Sequence, residues 1–249
     1  MIHVRSQREI ELIKHSCSIV VETFRVIEAL VKPGVTTARI DEIVDDYIRS
    51  QGARPAFKGY DGFPASACIS VESEVVHGIP GNRELREGEI VSIDIGAECE
   101  GYFGDSARTF AVGEIDFERQ RLMDVTLESL EEGVLLVEAG QRLSNISHRI
   151  QTIVEGAGFS VVRDLVGHGI GRNLHEDPQI PNYGKPHSGP RLRAGMVLAI
   201  EPMVNMGGYR VLTKDDNWTV VTEDGSASAH FEYTVAVTND GCEILTKYE

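Results

Sequence analysis

An α+β fold, with helices packed against antiparallel hairpins, is predicted by three observations. Apolar residues recur at helical spacing near the amino end and again in the middle of the chain. Alternating apolar and polar strands follow each helical stretch, so helices and then hairpins come twice over. Glycine and proline cluster only in short loops, so no linker divides residues 1–249 and they are read as a single domain.

The first helix opens at Ser6-Gln-Arg-Glu9, a capping box, and carries Ile10, Ile13, Cys17, Val20 and Phe24 on one face until Pro33-Gly34 stops it. A second helix is predicted from Thr36-Thr37 to Gly52, a third from Phe117 to Glu138 and a fourth from Ser144 to Glu155. Between the second and third lies a hairpin, Ile90 to Phe110, with Asp94 and Asp105 on its two strands. A turn centred at Cys99-Glu100 sets the two aspartates directly opposite each other, where like charges about 5 Å apart destabilise a sheet. Solvent, a basic neighbour such as Arg108, or a bound cation would each relieve them.

The rest of the chain favours the cation. Gly167-His168-Gly169 and His175-Glu-Asp-Pro178 place two histidines in a stretch too rich in glycine for a helix. Met196 to Ile200 is a short apolar strand that ends in Glu201 and is stopped by Pro202. Glu232 interrupts the alternating run His230 to Val237, sharing a face with Thr234 and Ala236. A charge inside an apolar strand is costly unless it is paired or coordinates a metal, and Asp94, Glu201 and Glu232 repeat that cost in three places. Carboxylates with one imidazole suit hard or borderline divalent ions and are too acidic a set for a structural zinc site.

Taken in order, the motifs His77-Gly-Ile-Pro80, Ser92-Ile-Asp94, Gly104-Asp105-Ser-Ala-Arg-Thr109, Gly167-His168-Gly169, His175-Glu-Asp-Pro178, Ile200-Glu201-Pro202 and the Glu232 strand resemble the type I methionine aminopeptidases. The resemblance runs from Ile10 to about Leu245, and the start of the helix close to Met1 likens the chain to the short bacterial form. It implies the pita-bread fold, a mainly antiparallel curved sheet with helices on its outer face and two pseudo-symmetric halves, here as one catalytic metallopeptidase domain. It further implies two divalent ions (Co, Mn, Fe or Zn) held by Asp94, Asp105, His168, Glu201 and Glu232, with Asp105 and Glu232 shared. Such a pair activates a water to attack the first peptide bond, releasing the N-terminal methionine of nascent chains whose second residue is small.

By the same resemblance Glu201 moves the proton, His175 donates to the oxyanion, and His77 sits near the substrate amide nitrogen. The methionine pocket would be lined by Tyr60, Phe63, Cys68, His77, Leu174 and Trp218, with Phe57 at its rim. Large apolar side chains in the glycine-rich loop 57–64 need such a reason, and a thioether packs well against aromatic rings. Leu174 and Phe57 stand at positions the family varies, and Tyr233 replaces a histidine common in relatives. His3, His15, His148, His187 and His230 have no motif around them and are left without a role. Two rival readings are a proline-specific aminopeptidase or dipeptidase of the same fold, and a non-catalytic peptide-binding module, which should have lost the metal ligands.

Composition excludes more than it assigns. With 39 acidic against 24 basic residues and a formal charge of −15, a dedicated nucleic-acid surface is not expected, and a ribosome would have to be met through a local basic patch. Cys17, Cys68, Cys99 and Cys242 are far apart, which fits reduced thiols in a cytosol rather than a disulfide framework. No run approaches the roughly 18 apolar residues of a membrane span, so a cytoplasmic monomer without membrane contact is the expectation.

Overall fold

The computed structural model describes residues 1–248. Its first half holds helices α1 (Gln7–Glu28) and α2 (Thr37–Ser50) and strands β1 (Arg54–Pro55), β2 (Ala67–Val71), β3 (Glu74–Val76), β4 (Ile90–Cys99) and β5 (Tyr102–Ala111). Helices α3 (Phe117–Val134) and α4 (Leu143–Gly156) open the second half. They lead into β6 (Ser160–Val161), β7 (Gly167–Gly169), β8 (Glu176–Ile180), β9 (Val197–Ile200) and β10 (Met203–Asn205). The last strands are β11 (Val211–Thr213), β12 (Val220–Thr222), β13 (Ser228–His230), β14 (Tyr233–Val237) and β15 (Cys242–Ile244).

The helices form where the sequence places them. Ser6 accepts from the Glu9 N–H while the Glu9 carboxylate accepts from the Ser6 N–H, so the box caps α1 as expected. Its face Ile13, Cys17, Val20, Phe24 and Ile27 is almost wholly buried, each large side chain worth about 1.5–3 kcal/mol. Helix α3 stops at Val134, four residues short of the predicted end. Its last turn tightens as Leu136 N–H bonds the Gly133 carbonyl and Val137 N–H bonds that of Val134, a three-residue spacing that closes a helix.

Each helix pair covers its own apolar layer. Helices α1 and α2 enclose Phe24, Ile40, Val44, Ile69, Ile93 and Ile95, while α3 and α4 enclose Leu130, Ile146, Ile150, Leu198 and Val204. The expected single curved sheet is broken into four antiparallel ladders: β1-β4-β2 with β5 on β4, β13-β10-β6, β11-β12-β3, and β15-β14-β9-β7-β8. The break between the second and fourth has a local cause, because Pro202 offers no N–H between β9 and β10.

The β4–β5 hairpin corrects the expected register. It turns at Glu100-Gly101, both with positive φ (53° and 79°), the two-residue geometry that matches strand twist. Asp94 therefore faces Ala107 and Asp105 faces Gly96, so the aspartates are diagonal neighbours on one face rather than directly opposed. Arg108 pairs with Ile93 on the other face and stacks over Tyr248 at 4.3 Å, where it cannot neutralise either of them. Glu232 is also displaced from expectation, lying in the gap between β13 and β14 rather than inside a strand.

The halves join along β5. Thr109 Oγ1 donates to the His230 carbonyl (2.9 Å) and accepts from its N–H (2.9 Å), and Glu232 N–H donates to the Ala107 carbonyl (2.9 Å). Ser106 Oγ donates to the Glu232 carbonyl (2.6 Å) and Thr234 Oγ1 to that of Asp105 (2.7 Å). This seam runs 230–234 antiparallel to 109–105 and carries Glu232 to Asp105.

Candidate active site

Between the two layers lies a cavity of about 260 Å³. Asp94, Asp105, His168, Glu201 and Glu232 line its floor, and Phe57, Tyr60, Phe63, Cys68, His77, Leu174, His175 and Trp218 its walls, so every candidate ligand, catalytic and pocket residue reaches one space. Asp61, not anticipated, also borders it.

Strand β7 delivers His168 by a close approach of backbones. A Cβ on Gly167 would come within 2.4 Å of the Ala199 carbonyl oxygen and one on Gly169 within 2.2 Å of that of Asp177, so both positions demand glycine. His168 Nδ1 lies 2.9 Å from the Gly169 carbonyl and must donate to it, which leaves the Nε2 lone pair facing the cavity. That nitrogen is 3.6 Å from Glu201 Oε1 and 3.9 Å from Asp105 Oδ2. One donor atom each from Asp105, His168 and Glu232 lie within 4.8 Å of one another.

The electrostatics are unbalanced. Asp105 and Glu232 are 3% and 2% exposed, yet among the described residues the only basic side chains within 4 Å of the four carboxylates are His168 and His230. Asp94 Oδ1, Asp105 Oδ1 and Glu232 Oε1 are buried without any hydrogen-bond partner among the described residues. Burial pushes the Asp94 carboxyl up to about 7 and that of Glu201 to about 8. Burial, with mutual repulsion added, holds Asp105 and Glu232 well above the usual carboxylate range. Burial also lowers His168 to about 3 and His77 to about 4, keeping both imidazoles neutral. Orphaned carboxylate oxygens beside a neutral nitrogen have the donor chemistry that suits a hard or borderline divalent cation.

Above this floor His175 meets His168 edge-on, ring centres 4.4 Å apart, and its Nδ1 is 2.8 Å from Tyr60 Oη. Tyr60 is held by a tight turn, with Gly59 and Gly62 at positive φ on either side. Phe63 and Trp218 meet edge-on at 5.2 Å, and His77 lies 6.3 Å from Trp218. Phe57, expected at the rim, is a buried wall whose Cε1 would lie 2.7 Å from a Cβ on Gly96.

Sequence reasoning left one buried group aside. His230 is 2% exposed, its Nε2 lies 3.6 Å from Glu201 Oε2, and burial lowers it to about 4. Its position two residues before Glu232, and so on the same face of an extended run, was the available signal.

Known proteins match this arrangement over its whole length. The model of metallopeptidase family M24 matches residues 11–239. Methionine aminopeptidase 1 of Bacillus subtilis is 54% identical over 99% of this chain and 100% of its own. The crystal structure of methionine aminopeptidase from Thermotoga maritima is 48% identical and superposes with a TM-score of 0.98, covering 99% of this chain and 100% of that one. Prolidase from Pyrococcus furiosus, at 24% identity, shares the fold alone, with a TM-score of 0.82 over 99% of this chain and 66% of its own. An ordered set of buried carboxylates and one ring nitrogen on a pita-bread scaffold, with relatives that agree from end to end, has one reading: the chain belongs to metallopeptidase family M24 and, within it, to the methionine aminopeptidases.

Proposed function

We propose that Asp94, Asp105, His168, Glu201 and Glu232 hold two divalent ions, with Asp105 and Glu232 shared between them, and that the apolar wall above selects methionine. The observation that carries this reading is the three buried carboxylate oxygens that find no partner among the described residues. When bound, a pair of divalent ions supplies an acidified water and a Lewis acid for the scissile carbonyl.

The chain's own residues supply the rest. Glu201, which lines the cavity between His168 and His230, accepts a proton from the attacking water and returns it to the leaving amide nitrogen. The contact of His175 Nδ1 with Tyr60 Oη at 2.8 Å allows Tyr60 to be the donor; in that tautomer the His175 proton stands on Nε2, which donates to the oxygen that becomes negative as the carbonyl turns tetrahedral. His77 orients the amide nitrogen. Phe57, Phe63, Cys68, Leu174 and Trp218 exclude water around an unbranched thioether, with Tyr60 at the mouth. Physiological substrates are protein N-termini with a small second residue, and the four cysteines, none in a disulfide, fit work in the reducing cytosol.

The test is methionine release from Met-Ala-Ser and Met-Leu-Ser by metal-stripped protein, with Mn, Fe, Co or Zn restored singly. Release from the first peptide alone, dependent on metal, is expected. His175→Ala should lower kcat about 10²–10³-fold while metal affinity stays as in the parent. Joint loss of kcat and metal would break the separation of roles, and no release with any metal would overturn the reading.

A further inference from the structure

The proposed reaction leaves one buried imidazole unused. His230 ends β13, and Thr109 pins its backbone from both sides through the two 2.9 Å bonds of the seam. That anchorage fixes the backbone from which the ring projects, and the ring's Nε2 is buried without a hydrogen-bond partner among the described residues.

That nitrogen points at Glu201, which is flanked by two unlike imidazoles. Glu201 Oε1 is 3.6 Å from His168 Nε2, and Oε2 is 3.6 Å from His230 Nε2. On the His168 side a ring lone pair faces a carboxylate oxygen, because His168 Nδ1 already donates to the Gly169 carbonyl. Two lone pairs facing each other call for a cation between them. On the other side an N–H at His230 Nε2 would satisfy both the unpartnered nitrogen and Oε2.

We propose that His230 is a positioning residue for Glu201: once the 3.6 Å gap closes by a few tenths of an ångström, its Nε2–H donates to Oε2 and holds the carboxylate with Oε1 turned to His168. This rests on the metal-ligand reading above. Outer hydrogen bonds that orient ligating groups commonly change metal affinity or activity about 10–100-fold. A ring that merely fills space would leave metal affinity unchanged.

The experiment starts from metal-stripped parent, into which Mn(II) is titrated by calorimetry; a parent that binds no metal defeats the ligand reading itself before any variant is made. His230→Ala and His230→Gln are then compared by Mn(II) affinity, by the visible spectrum of the Co(II)-loaded protein, and by kcat and KM for Met-Ala-Ser. His230→Ala should weaken Mn(II) binding about 10–100-fold, shift the Co(II) bands and lower kcat with KM little changed. His230→Gln, whose amide N–H can reach Oε2, should recover most of each. In a Glu201→Gln background the same His230→Ala change should add little, since coupled residues are not additive. Parental affinity and spectrum in His230→Ala, or full additivity with Glu201→Gln, would overturn the proposal, as would a His230→Gln variant no better than His230→Ala. Should His230→Ala not fold, His230→Asn, whose amide is too short to reach, takes its place.

Discussion

Asp94 and Asp105 stand on a hairpin that closes its own ladder, whereas Glu201 and Glu232 stand where a ladder is interrupted and its groups are handed to another element. From Ile90–Ala111 to Cys99–Tyr102 every residue of β4 has a partner on β5, and a two-residue turn joins them. In the second half, Ile200 pairs with Tyr233 and Met203 with His230, so the same register holds on both sides of Glu201 and Glu232. Between those rungs the Glu232 N–H turns to Ala107, and the Glu201 carbonyl accepts from Asn182 Nδ2 at 2.9 Å. A pair of carboxylates can thus be presented by a regular hairpin as diagonal neighbours, or by a broken one as directly facing residues, provided something else satisfies the freed backbone. Here β5 does so for Glu232 and Asn182 for Glu201, and Asp105 is brought to Glu232 by the β5 bonds.

The sharpest way to test the comparison is at the point where both pairs meet. Asp105→Asn should reduce methionine release to background if Asp105 is the ligand proposed to be shared. The same change should stabilise the metal-free protein, because a buried carboxylate with only the neutral His168 beside it among the described residues is replaced by a neutral group of equal size. With about 1–3 kcal/mol recovered and roughly 2–4 °C per kcal/mol for a chain of this length, calorimetry should show a clear rise in melting temperature. A lower melting temperature in the metal-free state would mean that Asp105 supports the fold without an ion, and the two hairpins would then not differ in what holds them.

A smaller effect isolates the seam. Thr109→Val keeps the shape of the residue and removes its bonds to both sides of His230 and to Ser92 Oγ (2.8 Å). Buried groups left unsatisfied cost about 1–3 kcal/mol, so the urea midpoint should fall with an unchanged slope. Amide exchange at Glu232 should quicken more than at Ile93, since the second pair depends on β5 and the first does not. Equal acceleration at both amides would mean the halves open together and the contrast has no energetic content.

What could be read in the sequence follows the same division. The Ser6–Glu9 box, the apolar stripe of α1 and the alternation around Asp94 are local signals, and each gives the observed element. The hairpin turn was misplaced by one position because Glu100-Gly101 lacks the asparagine that usually marks this turn, although the parity that puts both aspartates on one face survived the shift. Glu232 was read as mid-strand because an alternating pattern runs through it; the Ala107 carbonyl that takes its N–H is far away in sequence and leaves no local trace. His230 went unassigned for a like reason, since its partner Glu201 comes from another strand. The site residues themselves were legible as an ordered series of motifs rather than as geometry.

The least effect should come from the turn, where the first hairpin is most self-contained. Gly101 has φ 79°, a conformation that costs an alanine roughly 1–2 kcal/mol, so Gly101→Ala should lower the unfolding free energy by that much, read as a lower urea midpoint at unchanged slope. Glu100 sits at φ 53° with the same steric cost, and asparagine tolerates that region better, so Glu100→Asn should raise the unfolding free energy by a few tenths of a kcal/mol. Asp105 lies four residues beyond Gly101, roughly 14 Å along the strand, with an unbroken ladder between them. Metal affinity should therefore be unaffected by either change. If affinity instead moved with stability, the register at Asp94 and Asp105 would be set from the turn, and the first hairpin would be as dependent on distant support as the second.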